Sequence, residues 1–301
     1  MLGLQKRYGS AVALDNCSFS VERGRVLGFL GRNGAGKTTA MRSIFGLVQL
    51  DGGSIRWQGS AVDRQARARF GYMPEERGLY QRMPVHDQLR YFARLRGLDS
   101  ASASRESERW MKRLDLVERR DDSVDSLSHG NQQKVQLGVS LVGDPDLLVL
   151  DEPFSGLDPI AVQVLSSVIR EAADNGAAVV FSSHQLELVG GVCDDIAVIT
   201  RGHVVLNGDL DEIRRGSPTR ALALRLDGPA DGAWATMLAH RLGGARLDEG
   251  GEDYARLTVA AATKPADILA ALGDVGPRVM ELRLEPPALE DIFRQAVGEV
   301  V

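Results

Sequence analysis

A short apolar run, Val26-Leu27-Gly28-Phe29-Leu30, feeds a glycine-rich turn, Gly31-Arg32-Asn33-Gly34-Ala35-Gly36-Lys37-Thr38, and then a breaker-free stretch from Thr39 to Phe45. The order reads as strand, turn and helix. The turn fits the phosphate-cradling pattern G-x-x-x-x-G-K-[ST], in the setting that pattern requires. Its glycines let the backbone fold around phosphate oxygens with N–H groups pointing inward, and the helix start adds partial positive charge. Lys37 is placed to reach β- and γ-phosphates, and the Thr38 hydroxyl to hold Mg²⁺. Residues 31–39 are therefore a candidate nucleotide cradle.

The rest of the chain supplies the scaffold such a cradle needs. Val12 and Leu14, then Phe19 and Val21, alternate with polar residues as an antiparallel strand pair, leaving only a short strand before Tyr8. Turns at 51–53 and Gly59 bracket a strand at 54–57, and another strand at 70–73 stops at Pro74. From about 85 to 143, Leu89, Phe92 and Leu95, then Trp110, Leu114 and Val117, recur at helical spacing. A helical insertion is expected there, over about 76–144. Strands resume at 147–150, 177–181 and 196–200, with a helix over about 160–175 ended by Gly176. The alternation implies an α/β fold with a largely parallel sheet and right-handed crossovers. Ser217-Pro218 marks a boundary. Beyond it the order βαββαβ, closed by a helix over 289–297, suggests a small α+β ferredoxin-like module. Two domains, 1–216 and 217–301, are expected.

Composition narrows the function. At 301 residues the chain has ample core for one large or two smaller domains. The net charge is −5, and 13 acidic against 9 basic residues fall from 217 onward, so no basic surface offers itself to nucleic acid. Cys17 and Cys193 lie far apart, outside metal-ligand spacing, as suits reduced, packed thiols. The stretch from Met1 to Arg7 lacks the apolar core of a signal peptide, and no apolar run nears the ~20 residues of a membrane span. A soluble protein is expected, with any membrane role reached through a partner.

Three further stretches carry chemistry. Leu147-Leu148-Val149-Leu150-Asp151-Glu152-Pro153 is a buried strand ending in two acids beside the phosphate loop. Asp151 suits Mg²⁺, and Glu152 suits the water that attacks the γ-phosphate. Residues 177–184 repeat the design, with a strand delivering His184 to the same sheet edge to meet a phosphate oxygen or the water. Leu127-Ser128-His129-Gly130-Asn131 forms a second anion site, where Ser128 can cap the next helix and the Gly130 amide is free. One phosphate loop already serves one nucleotide, so the second site reads as completing a nucleotide on another subunit.

The motifs at 31–38, 127–131, 147–153, 155–158 and 184, in this order and spacing, resemble the nucleotide-binding subunit of an ABC transporter over about residues 1–215. The resemblance implies a P-loop ATPase core with an antiparallel β subdomain and a helical subdomain, working with ATP and Mg²⁺. It implies a head-to-tail dimer, homomeric or with a related ATPase, that sandwiches two ATP between one subunit's phosphate loop and the other's Ser128 and Gly130. Tyr8 matches the residue that stacks on adenine, Asp158 the loop that crosses the dimer interface, and Glu152 the catalytic base. His129 and Asn131 depart from the usual Leu-Ser-Gly-Gly-Gln. Glu75 stands where the family usually has glutamine, as a metal contact or only a loop residue.

Residues 71–80 and 285–293 narrow the resemblance to bacterial exporter ATPases of the sodium-efflux and drug-resistance group, which carry a small C-terminal domain. That group implies a separate multispanning permease, with the ATPase cytoplasmic and peripheral to the inner face of the membrane. Leu79, Tyr80, Met83 and Val85 either receive the permease's coupling helix or form local core. The rival expectation is a soluble ABC ATPase acting on ribosomes or DNA; such relatives usually carry two ATPase domains or a long coiled coil. A regulatory module that scarcely hydrolyses is a further rival, against which Glu152 argues.

Overall fold

The chain opens on a hairpin in which β1 (Leu2–Tyr8) pairs antiparallel with β2 (Ala11–Cys17), Tyr8 facing Ala11 across the turn. The strand pair expected from Val12 to Val21 is therefore displaced. β1 is 7 residues long, and Phe19 and Val21 lie in coil. Phe19 is nonetheless buried, its ring stacked on Phe29 at 4.4 Å, so a side chain dipping into the core from coil mimicked strand alternation. The structure is a computed structural model that describes residues 1–298 apart from Arg77, Gly232 and 274–277, with Glu187 and Leu188 described by their backbone alone.

Next come β3 (Val26–Leu30), α1 (Lys37–Ile44), β4 (Gly52–Ser54), the two-residue strands β5 (Arg56–Trp57) and β6 (Ser60–Ala61), α2 (Arg64–Ala68) and β7 (Phe70–Met73). The strand expected at 54–57 is thus divided at Ile55: β4 joins β1 in a three-stranded sheet, while β5 pairs with β6. The helical segment holds α3 (Val85–Leu95), α4 (Ser100–Arg113) and α5 (His129–Leu141). Leu89, Trp110 and Leu114 are buried among them, whereas Leu95 and Val117 stay exposed. Then follow β8 (Leu147–Leu150), α6 (Pro159–Asp174), β9 (Ala178–Ser183), α7 (Leu186–Val189), β10 (Asp195–Thr200) and β11 (His203–Asp209).

The main sheet has the order β11-β10-β3-β9-β8-β7, parallel from β10 to β7, with β11 antiparallel at its edge. β3, β8 and β9 are buried at every position, as the apolar runs of β3, β8 and the first four residues of β9 require in a sheet covered on both faces. Phe29, Val149 and Val180 pack with Met41 and Ile44 of α1, each large side chain contributing roughly 1.5–3 kcal/mol. Burial pushes the Cys17 thiol up to about 11, in keeping with a packed, unreactive cysteine. The topology has one consequence for function. The carboxyl ends of β7, β8, β9 and β3 stand side by side, so the residues that follow them share one edge.

A second compact unit runs from Leu210 to Val301. It begins with α8 (Leu210–Gly216), ahead of Ser217, and continues with β12 (Thr219–Leu226), α9 (Trp234–Arg241), β13 (Arg246–Gly250), β14 (Tyr254–Ala260), α10 (Pro265–Leu272), β15 (Val279–Glu285) and α11 (Leu289–Gly298). The sheet order β13-β14-β12-β15, antiparallel throughout, is the ferredoxin-like arrangement. Its core forms where the alternating Leu222, Leu224 and Leu226 meet Trp234, Leu238, Ile268 and Leu272.

Candidate active site

The turn after β3 is shaped by two close approaches. A Cβ at Gly31 would lie 2.5 Å from the Ile199 carbonyl oxygen, and one at Gly36 would lie 2.3 Å from that of Ala13. Gly36 also sits at φ +109°, a conformation open to glycine. α1 starts there with no side-chain cap, so its first-turn N–H groups are left for a ligand. Lys37, although 6% exposed, donates through Nζ to the Gly31 carbonyl at 2.6 Å and lies 3.4 Å from Glu152 Oε1. An ammonium has three donors and only one is spent on a hydrogen bond, so donors remain for phosphate oxygens.

The end of β8 turns sharply. Glu152 holds φ +52°, which costs roughly 1–2 kcal/mol in a residue with a side chain. Ser182, at the end of β9, fixes it: its Oγ accepts from the Glu152 N–H at 2.8 Å and donates to Asp151 Oδ1 at 2.7 Å. Asp151 Oδ2 is buried with no partner, and Glu152 Oε1 accepts no hydrogen bond despite its ion pair with Lys37. Buried orphan oxygens of this kind are costly unless something else meets them. Asp151, Thr38 and Glu75, which line one cavity, offer an all-oxygen donor set, which fits Mg²⁺. His184 Nδ1 stands 2.9 Å from Glu152 Oε2.

A cavity of about 430 Å³ opens here, lined by Tyr8, Arg32, Asn33, Gly34, Gly36, Lys37, Thr38, Thr39, Glu75, Asp151 and Glu152. That volume suits a small organic ligand such as a nucleotide. Gly31 and Ala35 support the loop from behind, the buried Ala35 through its carbonyl to the Gly202 N–H at 3.0 Å. Tyr8 is half-exposed at the rim, with Lys6 Nζ 5.3 Å from its ring centre. Glu75 is exposed and lines the same cavity. Ser128, Gly130 and Asp158 line no part of this cavity. Ser128 caps α5, accepting from the Asn131 N–H at 3.3 Å, and Asp158 caps α6, accepting from the Ala161 N–H at 2.8 Å. The sequence reading missed Ser182 and Ala13, which also lines the cavity; a serine inside a strand and an alanine beside a turn carry no signal of their own.

Residues 14–155 match the family model described as ABC transporter, and residues 208–297 match the ATP-binding protein DrrA1-3-like, C-terminal domain. An uncharacterized ABC transporter ATP-binding protein of Bacillus subtilis, YhaQ, is 36% identical over 98% of this chain and 97% of its own length. The chain belongs to the ABC transporter ATP-binding proteins. It is accordingly an ATPase. The daunorubicin resistance ATP-binding protein DrrA3 of Streptomyces coeruleorubidus is 31% identical, over 99% of this chain and 95% of its own length. A solved ATP-binding subunit of an ABC transporter superposes with a TM-score of 0.65 at 32% identity, covering 71% of this chain and 90% of that one. In this ABC subunit the phosphate loop, Asp151, Glu152 and His184 meet at one sheet edge, as their order in the sequence implied. Of the four residues weighed for docking, Leu79 and Val85 are buried, Met83 is half-buried, and Tyr80 is exposed with its ring edge-on to Tyr91 at 5.5 Å.

Proposed function

We propose that this ABC subunit hydrolyses ATP to drive an exporter whose translocation path lies in a separate multispanning membrane protein. The observation that carries the reading is the whole-length likeness to the daunorubicin resistance protein, which runs through both the ATPase unit and the DrrA-like unit. Among the described residues no helix is long and apolar enough to cross a membrane, so a permease at the inner face supplies the span.

In this reading Tyr8 stacks on adenine, the 31–39 loop wraps the phosphates, and a free donor of Lys37 meets a phosphate oxygen. Thr38, Asp151 and Glu75 would hold Mg²⁺, which when bound would neutralise phosphate charge. Glu152 takes the proton of the attacking water, and His184 holds the Glu152 carboxylate in place. Two copies close head to tail, so that Ser128 and Gly130 of one reach the γ-phosphate held by the other while the Asp158 loops cross between them. Loss of the γ-phosphate removes that bridge, and the helical segment passes the movement to the permease.

Affinity capture of the tagged subunit from gently solubilised membranes of its host tests the export reading. Recovery with one multispanning membrane protein in constant ratio is expected. Recovery with ribosomes or DNA-bound proteins, and no membrane protein, would contradict it.

A further inference from the structure

Helix α5 reaches from Ser128 at its start to two stretches of backbone at the nucleotide pocket, and it does so with two glutamines on one face. Gln133 and Gln136 are three residues apart and almost fully buried, at 4% and 3% exposure. Gln133 Nε2 donates to the Pro153 carbonyl at 3.1 Å and approaches that of Glu152 at 3.5 Å. Gln136 Nε2 donates to the Pro74 carbonyl at 2.6 Å and to the Glu76 carbonyl at 3.2 Å. A primary amide has two N–H groups, and here one amide spends both on the two carbonyls that flank Glu75. The residue it brackets lines the same cavity as the phosphate loop.

The anchor is firm. A Cβ on Gly71 of β7 would lie 2.2 Å from the Ser140 carbonyl oxygen of α5, so helix and strand backbones are in direct contact just before the Pro74 loop. Asp151 N–H donates to the Met73 carbonyl at 2.8 Å, tying the same loop to the metal-facing acid. A buried helix side chain that satisfies two loop carbonyls 60 and 62 residues away fixes that loop's path.

We infer that Gln136 is a positioning residue for Glu75, so that the helix capped by Ser128 sets where the Glu75 carboxylate stands in the nucleotide pocket. The inference deepens the proposed function and rests on Glu75 serving the bound nucleotide. Gln136 thereby orients a carboxylate where an amide is usual. An Nε2 that donates only to backbone leaves the Glu75 side chain free to face a cation.

Gln136→Met keeps the length and volume of the side chain but cannot donate. Mg²⁺ is titrated by calorimetry into full-length protein loaded with a non-hydrolysable ATP analogue, for wild type, Gln136→Met, Glu75→Ala and the double variant, with kcat and KM for ATP measured alongside. Loss of a group that orients a metal ligand weakens metal binding by about tenfold or more. Gln136→Met is expected to weaken Mg²⁺ binding by about tenfold and lower kcat, with KM for ATP little changed. In the Glu75→Ala background it should do neither, because the two residues then act as one unit. Equal effects in both backgrounds would show that Gln136 does not act through Glu75, leaving the reading of Glu75 intact. Glu75→Ala without effect on Mg²⁺ binding would overturn that reading and this inference together, while leaving the phosphate-loop assignment untouched. A Gln136→Met protein that melts normally and binds Mg²⁺ as wild type would overturn the inference alone.

Discussion

The starts of α1 and α5 both carry the glycine- and hydroxyl-containing sequences of anion-binding helix N-termini, yet they are built differently. At α1 the cap is Gly36 in a left-handed conformation, no side chain occupies the first-turn N–H groups, and Lys37, Thr38, Asp151 and Glu152 surround the opening. At α5 the Ser128 hydroxyl already accepts from Asn131, and the residues of its first turn line no part of the cavity. One terminus comes with its own lysine and acids. The other offers a hydroxyl and a helix dipole, and its Ser128 has a structural task to which the proposed function adds a second copy's nucleotide. In the proposed function the difference separates a finished site from a half-site within one chain.

The comparison can be broken most severely at α1. Lys37→Ala should lower kcat for ATP by at least about a hundredfold, since a buried donor to developing phosphate charge is lost. Steady-state ATPase assays check this, and unchanged turnover would refute the assignment of Lys37. At α5, Ser128→Ala should reduce turnover by about tenfold, the worth of one hydrogen bond to a charged group, while the affinity of the isolated subunit for ATP holds. Equilibrium binding beside turnover separates the two readouts, and a parallel loss of both would mean that α5 is not a half-site. The same variant removes a cap worth about 1 kcal/mol, so melting curves are needed as a control.

The smallest effect concerns a helix whose cap has only a structural task. Asp99 caps α4, accepting from the Ser102 N–H at 2.9 Å, and this bond, with the Ser102 hydroxyl, holds its carboxyl below the usual carboxylate range. A depressed value means that the cap contributes stability above the ordinary pKa of about 3.9 and loses it as pH falls through the lower folded value. The melting temperatures of wild type and Asp99→Ala should therefore differ at neutral pH and draw together as pH falls below the ordinary carboxylate range. A difference independent of pH would assign the effect to something other than the charged cap.

What could be read from the chain beforehand follows a physical line. Strands buried on both faces, such as 147–150, announce themselves as apolar runs, and the phosphate loop carries its own geometry in its glycines. Edge strands do not. β11 presents His203, Asn207 and Asp209 around an apolar run of only three residues, so it went unassigned. β1 buries only Leu4 completely, which hid its length. At the site, residues that line the cavity were legible from residue type and order, whereas groups that hold those residues were not. Ser182 reads as a strand residue, and Gln133 and Gln136 read as ordinary helix formers. Their roles arise from partners 19 to 62 positions away, which only the fold brings near.

The central claim, that one copy's α1 and another's α5 close around ATP, is met most directly by sizing chromatography of Glu152→Gln with ATP and Mg²⁺. With the base removed and binding intact, the variant should elute as a dimer when ATP is present and as a monomer without it. A variant that binds ATP and still elutes as a monomer would contradict the sandwich of two copies.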